Sequence, residues 1–224
     1  MTNRGDNRRE RFIRSKTVPG HAPLIPEIAL HLAADPIDLW SETEALDASA
    51  PLRPPPYWAF AWPGGQALAR YILDHPSEVS GRTVLDFGSG SGLVAIAATK
   101  AGASCACASE IDPLALAAME LNAAANGVFI EPLESDIIGT EARWNVVLAG
   151  DMWYERKLAE RLTGWLEALA DAGVRVLIGD PGRTYFPVIA APNLTRLATY
   201  TVPTSRDLED RERREASVYA LTAR

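Results

Sequence analysis

The chain has 224 residues, of which 47% are hydrophobic and 23% are charged, and its formal net charge is −7. This composition is typical of a globular domain with a sizeable core. The acidic balance argues against nucleic acid as a partner. No apolar run approaches the ~20 residues that a membrane-spanning helix needs, so we expect no membrane segment.

The first 22 residues are polar and rich in arginine, with no hydrophobic periodicity. They lack the apolar core of a secretory signal, and Asp6 and Glu10 are untypical of an organelle transit peptide. We therefore predict a flexible basic tail over residues 1–22. Residues 23–224 are then one domain.

Within that domain we predict an N-terminal cap over residues 23–62 and a core over residues 63–224. The cap begins with a short strand or helix over residues 24–34. It continues through residues 35–56, an acidic and then proline-rich connector. The core opens with a helix at Pro63, because proline is favoured in the first turn, where its missing N–H is not needed.

From residue 82 onward, short apolar strands alternate with helices. We predict five strands, in TVLDFG, SCACASEI, VFIEPLES, NVVLAGD and VRVLIGD. We predict a closing pair of strands in LTRLATYTV and ASVYALTA. Such alternation indicates an α/β fold with a mostly parallel, doubly wound sheet of seven strands and helices on both faces. Residues 206–215, between the closing strands, carry nearly cancelling charges, and we predict a solvated loop or helix there.

The two cysteines, Cys105 and Cys107, lie two residues apart in a predicted strand and so point to the same face. A structural zinc site takes four ligands, and the neighbouring sequence offers no CxxC or histidine cluster to complete one. We therefore predict buried, reduced thiols and no metal site.

The segment VLDFGSGSG predicts a ligand-binding loop between a buried strand and a helix. Glycines at 88, 90 and 92 let the backbone turn tightly and approach a ligand. Glu110 ends the next strand, about 20 residues after Gly90, where a carboxylate can accept the hydroxyls of a ribose. The spacing is GxGxG, which is not the GxGxxG of dinucleotide-binding proteins. Asp86, inside the strand, can brace the loop or face a cationic ligand. A nucleoside with a positive centre, such as S-adenosylmethionine, suits these features.

Further acidic residues end the later strands, at the sheet edge where open α/β proteins bind ligands. Asp136 can border an adenine pocket or cap a turn, and Asp151 can serve the site or cap a helix. Asp180 is sufficiently explained by the Pro-Gly turn of GDPGR. The three histidines are scattered, and the sequence suggests no catalytic triad.

The sequence resembles the class I, seven-β-strand, S-adenosylmethionine-dependent methyltransferases in VLDFGSGSG, ASEIDP, ESD and the DMWY that follows the fourth strand. PYWAFAWPGGQALARYILDHP, LAGDMWYE and RVLIGDPGR more specifically resemble the electron transfer flavoprotein β-subunit lysine methyltransferases. The likeness extends from about residue 24 to the C-terminus. It implies a Rossmann-like domain that uses S-adenosylmethionine, releases S-adenosylhomocysteine and methylates lysines of that β subunit.

The resemblance also implies roles for individual residues. Asp151 would orient the substrate amine, and Tyr154 would line the lysine channel. The expected cofactor-binding residues are Trp62, Asp86, Gly88, Ser89, Gly90, Gly92, Glu110, Ile111, Asp136, Ile137 and Gly150. Since no import signal is seen, we expect a bacterial, cytoplasmic member, and we expect it to be a monomer.

Three other functions fit the sequence less well. A related methyltransferase could act on another protein, such as a ribosomal protein. A non-catalytic S-adenosylmethionine-binding partner protein is disfavoured by the Asp-x-x-Tyr pattern of residues 151–154. A nicotinamide-dependent oxidoreductase is disfavoured by the glycine spacing.

The stretch PPYWAFAWPGG concentrates aromatic residues just before the helix at Pro63. We predict that Trp62 contacts the cofactor, because a flat aromatic ring attracts a sulfonium. If the stretch is extended, Trp58 and Phe60 point to the same side as Trp62, because alternate residues of a strand share a face. They would then line the same wall of the cofactor site. Tyr57 is predicted to anchor the connector.

Overall fold

The computed structural model describes residues 4–45, 55–187, 192–204, 209 and 211–224. These residues form a two-stranded sheet, a seven-stranded sheet and six α-helices. Within this part of the chain, no helix combines the length and the apolar content needed to cross a membrane.

The N-terminal segment differs from the flexible tail that we predicted over residues 1–22. A helix, α1 (Arg4–Lys16), leads into strand β1 (Thr17–Ala22), which pairs antiparallel with β2 (Ile25–Ala33). Ile13 of α1 is fully buried in an apolar cluster that includes Leu114 and Leu121. Phe12 and Ile13 are the large apolar residues in the helix sequence, and two adjacent residues give no hydrophobic period. The sequence pattern therefore did not predict this helix.

The connector predicted over residues 35–56 contains a helix, α2 (Pro36–Ala45). The Asp35 carboxylate accepts hydrogen bonds from the N–H groups of Ile37 and Asp38 and so caps its start. Residues 46–54 lie outside the described part. A 3₁₀ turn over Tyr57–Ala59 then precedes α3 (Pro63–Asp74).

The seven-stranded sheet has the predicted α/β topology. Its strand order is β5-β4-β3-β6-β7-β9-β8, and the first five of these strands are parallel while β9 and β8 are antiparallel to their neighbours. The strands are β3 (Thr83–Phe87), β4 (Cys105–Glu110), β5 (Glu131–Glu134), β6 (Val146–Gly150), β7 (Arg175–Asp180), β8 (Leu194–Pro203) and β9 (Arg213–Leu221).

Helices cover both faces of this sheet. They are α3, α4 (Leu93–Lys100), α5 (Pro113–Ala125) and α6 (Arg156–Asp171). Alternation along β6 separates two apolar clusters: Leu148 packs on the side of α3, α4 and α5, and Val147 packs on the side of α6. The buried face of α6 includes Trp165 and Leu166.

Strand β5 is shorter than predicted and lies at the edge of the described sheet. Pro132 is tolerated there, because one side of the strand pairs with no other described strand. The Cys105 and Cys107 sulfurs face one side of β4, 4.0 Å apart, and the Glu131 carboxylate is 3.7 and 3.4 Å away from them. Both thiols are free. Cys107 is buried as predicted, whereas Cys105 is half-buried.

The start of α3 packs directly on the carboxyl ends of β6 and β7. A Cβ added to Gly64 would lie 2.4 Å from the Gly179 carbonyl oxygen, and one added to Gly150 would lie 2.9 Å from the Gly65 Cα. These are backbone-to-backbone contacts with no room for side chains. The WPGG sequence therefore lets the first turn of α3 reach the sheet edge.

Candidate active site

A cavity of about 700 Å³ opens at the carboxyl ends of β3, β4 and β6. This is the sheet edge where the sequence placed the site. The predicted residues that line the cavity are Trp62, Asp86, Gly88, Ser89, Gly90, Glu110, Ile111, Asp136, Gly150, Asp151 and Tyr154. Two predicted residues, Gly92 and Ile137, are not among the residues that line it.

All three glycines of the β3–α4 loop have a positive φ, and two of them, Gly88 and Gly92, are also closely packed. Gly88 has a φ of 65°, and a Cβ there would lie 2.3 Å from the Met152 sulfur. Gly92 is the N-cap of α4 with a φ of 81°, and a Cβ there would lie 2.8 Å from the Met119 Cγ. Gly92 thus lets α4 approach α5, which is why it faces protein and not the cavity.

Hydrogen bonds within the protein use most of the loop's N–H groups. The N–H groups of Gly88 and Ser89 donate to the Ser109 carbonyl, and that of Gly92 donates to the Ser89 carbonyl. The Gly90 N–H donates to the Glu110 carboxylate at 3.1 Å. A phosphate-binding loop instead presents several N–H groups to its anion. This loop is therefore poorly suited to a pyrophosphate.

Asp86 braces the loop from beneath. Its Oδ2 accepts hydrogen bonds from the Ser89 hydroxyl at 2.6 Å and from the Ala95 N–H at 3.0 Å. The side chain is buried, and this burial raises the pKa of Asp86 to about 7. Of the two roles considered for this residue, the contacts show the bracing role directly.

Glu110 accepts three backbone hydrogen bonds: from Gly90 on Oε2, and from Ile111 and Asp112 on Oε1. Burial raises its pKa above the usual value, although these N–H groups oppose the effect. An ionised carboxylate has about four acceptor positions, so one remains here. The Ile111 side chain next to it is 65% exposed and lines the cavity.

Asp136 forms an ion pair with Arg161 at 2.6 Å, which lowers the pKa of the carboxyl. Its other oxygen accepts the Ile138 N–H and closes a turn. Ile138 lines the cavity, whereas the predicted Ile137 is buried in the cluster on the α6 side of the sheet. The strand ends at Glu134, and the turn that follows places Ile138 toward the cavity and Ile137 behind it.

Asp151 follows β6 directly and has a φ of 60°, which is unusual for a residue other than glycine. Its Oδ2 accepts the Gly65 N–H at 2.9 Å, and its Oδ1 accepts Nε and Nη2 of Arg183 at 3.0 and 2.6 Å. Burial raises the pKa of Asp151, while Arg183 acts in the opposite direction. Asp151 is not the cap of α6, because Glu155 occupies that position.

Arg183 and Glu209 belong to the site, and the sequence pattern did not identify either. Arg183 lines the cavity and donates to both Asp151 and Glu209, and Arg214 also binds Glu209. Arg183 lies in GDPGR, and the sequence pattern assigned that segment only to a Pro-Gly turn. Glu209 belongs to the segment 206–215 predicted as solvated, of which residues 206–208 and 210 lie outside the described part. Residues 211–215 are largely exposed, yet Glu209 itself is buried.

Aromatic rings form one wall of the cavity. Residues 57–59 form a 3₁₀ turn and not an extended strand, so the parity argument was wrong, although Trp58 and Phe60 do line the cavity. Trp62 donates its Nε1–H to the Tyr57 carbonyl. The Tyr57 ring lies 5.3 Å from that of Tyr154, so Tyr57 belongs to the wall as well as to the connector. The cation that contacts the Trp62 ring is the Arg183 guanidinium, 5.5 Å from the ring centre.

The sheet order and the position of the cavity define a class I methyltransferase fold, and comparisons with known proteins agree. The family model for ribosomal protein L11 methyltransferase (PrmA) matches residues 67–151. A putative RNA methyltransferase from Pyrococcus horikoshii has a TM-score of 0.59 at 14% identity, over 83% of this chain and 98% of that one. Magnesium protoporphyrin IX methyltransferase from Synechocystis was solved with bound SAH (S-adenosylhomocysteine). It has a TM-score of 0.53 at 15% identity, over 71% of this chain and 81% of that one.

Relatives with higher identity specify the family. The electron transfer flavoprotein β subunit lysine methyltransferase of Danio rerio is 44% identical over 81% of this chain and 70% of its own length. The protein of the same name from Xenopus laevis is 40% identical over 94% of this chain and 85% of its own. The chain belongs to this family of lysine methyltransferases.

Proposed function

We propose that this protein uses S-adenosylmethionine to methylate lysine side chains on the β subunit of electron transfer flavoprotein. The observation that carries the proposal is that Glu110 and Asp151 face one cavity together with an aromatic wall. Its relatives, which cover most of the chain, bear the name of this activity.

The cavity fits a nucleoside cofactor. Its volume of about 700 Å³ lies within the usual range of ~300–1,000 Å³ for small-molecule sites. Glu110 has one acceptor position left for a ribose hydroxyl, and Asp86 holds the loop beneath it. Holding both hydroxyls would require Glu110 to release one backbone N–H. The residues proposed to hold the cofactor are Trp62, Asp86, Gly88, Ser89, Gly90, Glu110, Ile111, Asp136 and Gly150, with Gly92 and Ile137 acting behind them.

S-adenosylmethionine would supply a methyl group on a sulfonium. The neutral lysine amine would form the new nitrogen–carbon bond as the carbon–sulfur bond breaks, S-adenosylhomocysteine would leave, and the proton of the amine would go to solvent. Asp151 uses three of its roughly four acceptor positions on Gly65 and Arg183, so one remains to hold an N–H of the amine. Tyr154 lines the approach of the lysine chain. Alignment of the reactants supplies most of the rate enhancement in this scheme.

Two alternatives are less well supported. A nicotinamide-dependent enzyme must hold a pyrophosphate, and the N–H groups of this loop are largely bonded to the protein. A methyltransferase for a ribosomal protein is favoured by the L11 methyltransferase model, which matches only residues 67–151. The remaining expectations, a cytoplasmic bacterial monomer that binds no nucleic acid, stay predictions.

A transfer assay tests the proposal. The purified protein is incubated with methyl-labelled S-adenosylmethionine and either the electron transfer flavoprotein or ribosomal protein L11, and the labelled residue is identified by mass spectrometry. We expect label on lysines of the flavoprotein β subunit. Label on L11 alone would refute the proposed substrate. Calorimetry should show binding of S-adenosylhomocysteine and none of NAD, and the reverse result would refute the proposed cofactor.

A further inference from the structure

Four charged side chains form a continuous series of ion pairs beside the cavity. Arg183 lies 2.6 Å from Asp151 and 2.7 Å from Glu209, and Arg214 lies 2.6 Å from Glu209. The exposed fractions of the two carboxylate side chains are 9% for Asp151 and 2% for Glu209. Buried charges are tolerated when they are paired, and here two cations balance two anions.

Arg183 is fixed from three directions. Its Nε and Nη2 donate to Asp151, its Nη1 and Nη2 donate to Glu209, and its guanidinium contacts the Trp62 ring. The planar guanidinium offers its donors in a rigid fork, so these partners together select one orientation of the group. That orientation in turn sets the position of the Asp151 carboxylate.

Glu209 is the second carboxylate that holds the Arg183 guanidinium. It comes from the segment between β8 and β9, distant in sequence from the strand ends that form the cavity. Arg214, at the start of β9, donates to Glu209 and also to the Pro181 carbonyl. Glu209 therefore links the β8–β9 connection to the residue that holds Asp151.

We propose that Arg183 and Glu209 are positioning residues for methyl transfer, which act by holding the Asp151 carboxylate so that one acceptor position is left for the substrate amine. The proposal rests on the function proposed above. Neither residue needs to touch the substrate in this role. Glu209 thereby helps to position the reacting groups, although it is distant in sequence from the strand ends that form the cavity.

The charges give the proposal a distinctive signature. The charged groups next to Asp151 in the described structure are Arg183, Glu209 and Asp180, and α3 contributes the uncharged Gly65 N–H. Arg183 lowers the pKa of Asp151 and Glu209 raises it. Removing the Arg183 charge should therefore raise this pKa, and removing the Glu209 charge should lower it. Loss of packing alone would not shift the pKa in opposite directions.

The test compares Arg183→Gln, Arg183→Lys and Glu209→Gln with the wild type in the transfer assay. Glu215→Gln is the matched control, because this glutamate lies nearby in β9 and is exposed. Misplacement of a reacting group by about 1 Å can cost 10²-fold in rate. We expect kcat to fall about 100-fold in Arg183→Gln and about tenfold in Glu209→Gln. The loss of kcat in Arg183→Lys should lie between these two values. Affinity for S-adenosylhomocysteine should change less than about threefold, and the control should match the wild type.

The pKa of Asp151 is measured separately, by carbon-13 NMR of the carboxyl groups with Asp151→Asn to assign the signal. A rise in Arg183→Gln and a fall in Glu209→Gln support the proposal. Wild-type kcat in both variants, or shifts in the same direction, would overturn it. If the wild type fails to methylate the flavoprotein, the proposed function fails, while the NMR titration still decides whether these residues control Asp151.

Discussion

The two halves of the cavity are built in different ways. In the glycine-loop half, Asp86 and Glu110 accept hydrogen bonds mainly from backbone N–H groups close in sequence. In the ion-pair half, Asp151 is held largely by Arg183, which is itself held by Glu209 from a distant segment. The first half is therefore set by the local backbone, and the second by side-chain charges that a single substitution can change.

The largest effect is expected in the ion-pair half. Asp151→Asn keeps the shape of the side chain, and asparagine tolerates the positive φ at this position. It removes the charge that pairs with Arg183 and an acceptor for the amine, so we expect turnover to fall at least ~100-fold. Binding of S-adenosylhomocysteine, measured by calorimetry, should stay within about threefold. Wild-type turnover in this variant would show that Asp151 does not serve the reaction.

The glycine-loop half can be disrupted by one methyl group. Gly88→Ala forces a Cβ against the Met152 sulfur at a position where φ is positive. The end of the Met152 side chain must then move toward the cavity that it lines. We expect a loss of roughly 2 kcal/mol in the free energy of unfolding, together with weaker cofactor binding. Gly127→Ala is the control, since Gly127 has the same φ of 65° with open space around its Cβ. Urea denaturation of Gly127→Ala should show a loss of about 1 kcal/mol in the free energy of unfolding. Equal losses at the two positions would rule out the packing explanation.

Asp180 makes the ion-pair half sensitive to pH. Among the residues that the structure describes, its Oδ2 is buried without a hydrogen-bond partner, and burial raises the pKa of Asp180 to about 7 from the usual 3.8. Stability that depends on the neutral carboxyl is fully present below pH ~4 and is lost as the pH rises through about 7. Asp180→Asn cannot ionise. The free energy of unfolding of Asp180→Asn, relative to that of the wild type, should therefore be roughly 2 kcal/mol higher at pH 8 than at pH 5.

Calorimetric melting at both pH values measures this gain. The exposed Asp38→Asn in α2 serves as its control and should follow the wild-type pH dependence. A constant difference between Asp180→Asn and the wild type would mean that Asp180 ionises normally in the folded protein.

The smallest effect is expected at Glu110. Glu110→Gln replaces one acceptor oxygen by an amide donor, which meets a backbone N–H that is also a donor. The dissociation constant for S-adenosylhomocysteine should rise about tenfold. Glu134→Gln, an exposed change at the end of neighbouring β5, should leave it unaltered. If both variants bind like the wild type, Glu110 has no part in holding the cofactor.

The glycine-loop half could be predicted from the sequence for a physical reason. A strand, a glycine loop and a helix follow one another along the chain, and parallel strands end at one edge, so Asp86, Gly88 and Glu110 had to converge. The same logic placed Asp151 at the cavity. It also predicted the seven-stranded sheet, because strand and helix periods differ clearly.

The ion-pair half could not be predicted in the same way. Ion pairs between distant segments leave no periodic pattern, so Arg183 appeared as part of a turn and Glu209 as one charge among many. Helix α1 was missed because it buries few apolar residues. Each of these errors concerns contacts that are fixed by tertiary packing.

The backbone contacts at the start of α3 also constrain how this protein can change over evolutionary time. Gly64 and Gly179 each exclude a Cβ at the other's position, and Gly65 does the same for Gly150. An alanine at any of Gly64, Gly150 or Gly179 would separate α3 from the sheet and withdraw the Gly65 N–H from Asp151. In a library of random variants, these scattered glycines should therefore tolerate substitution as poorly as the residues that carry the chemistry.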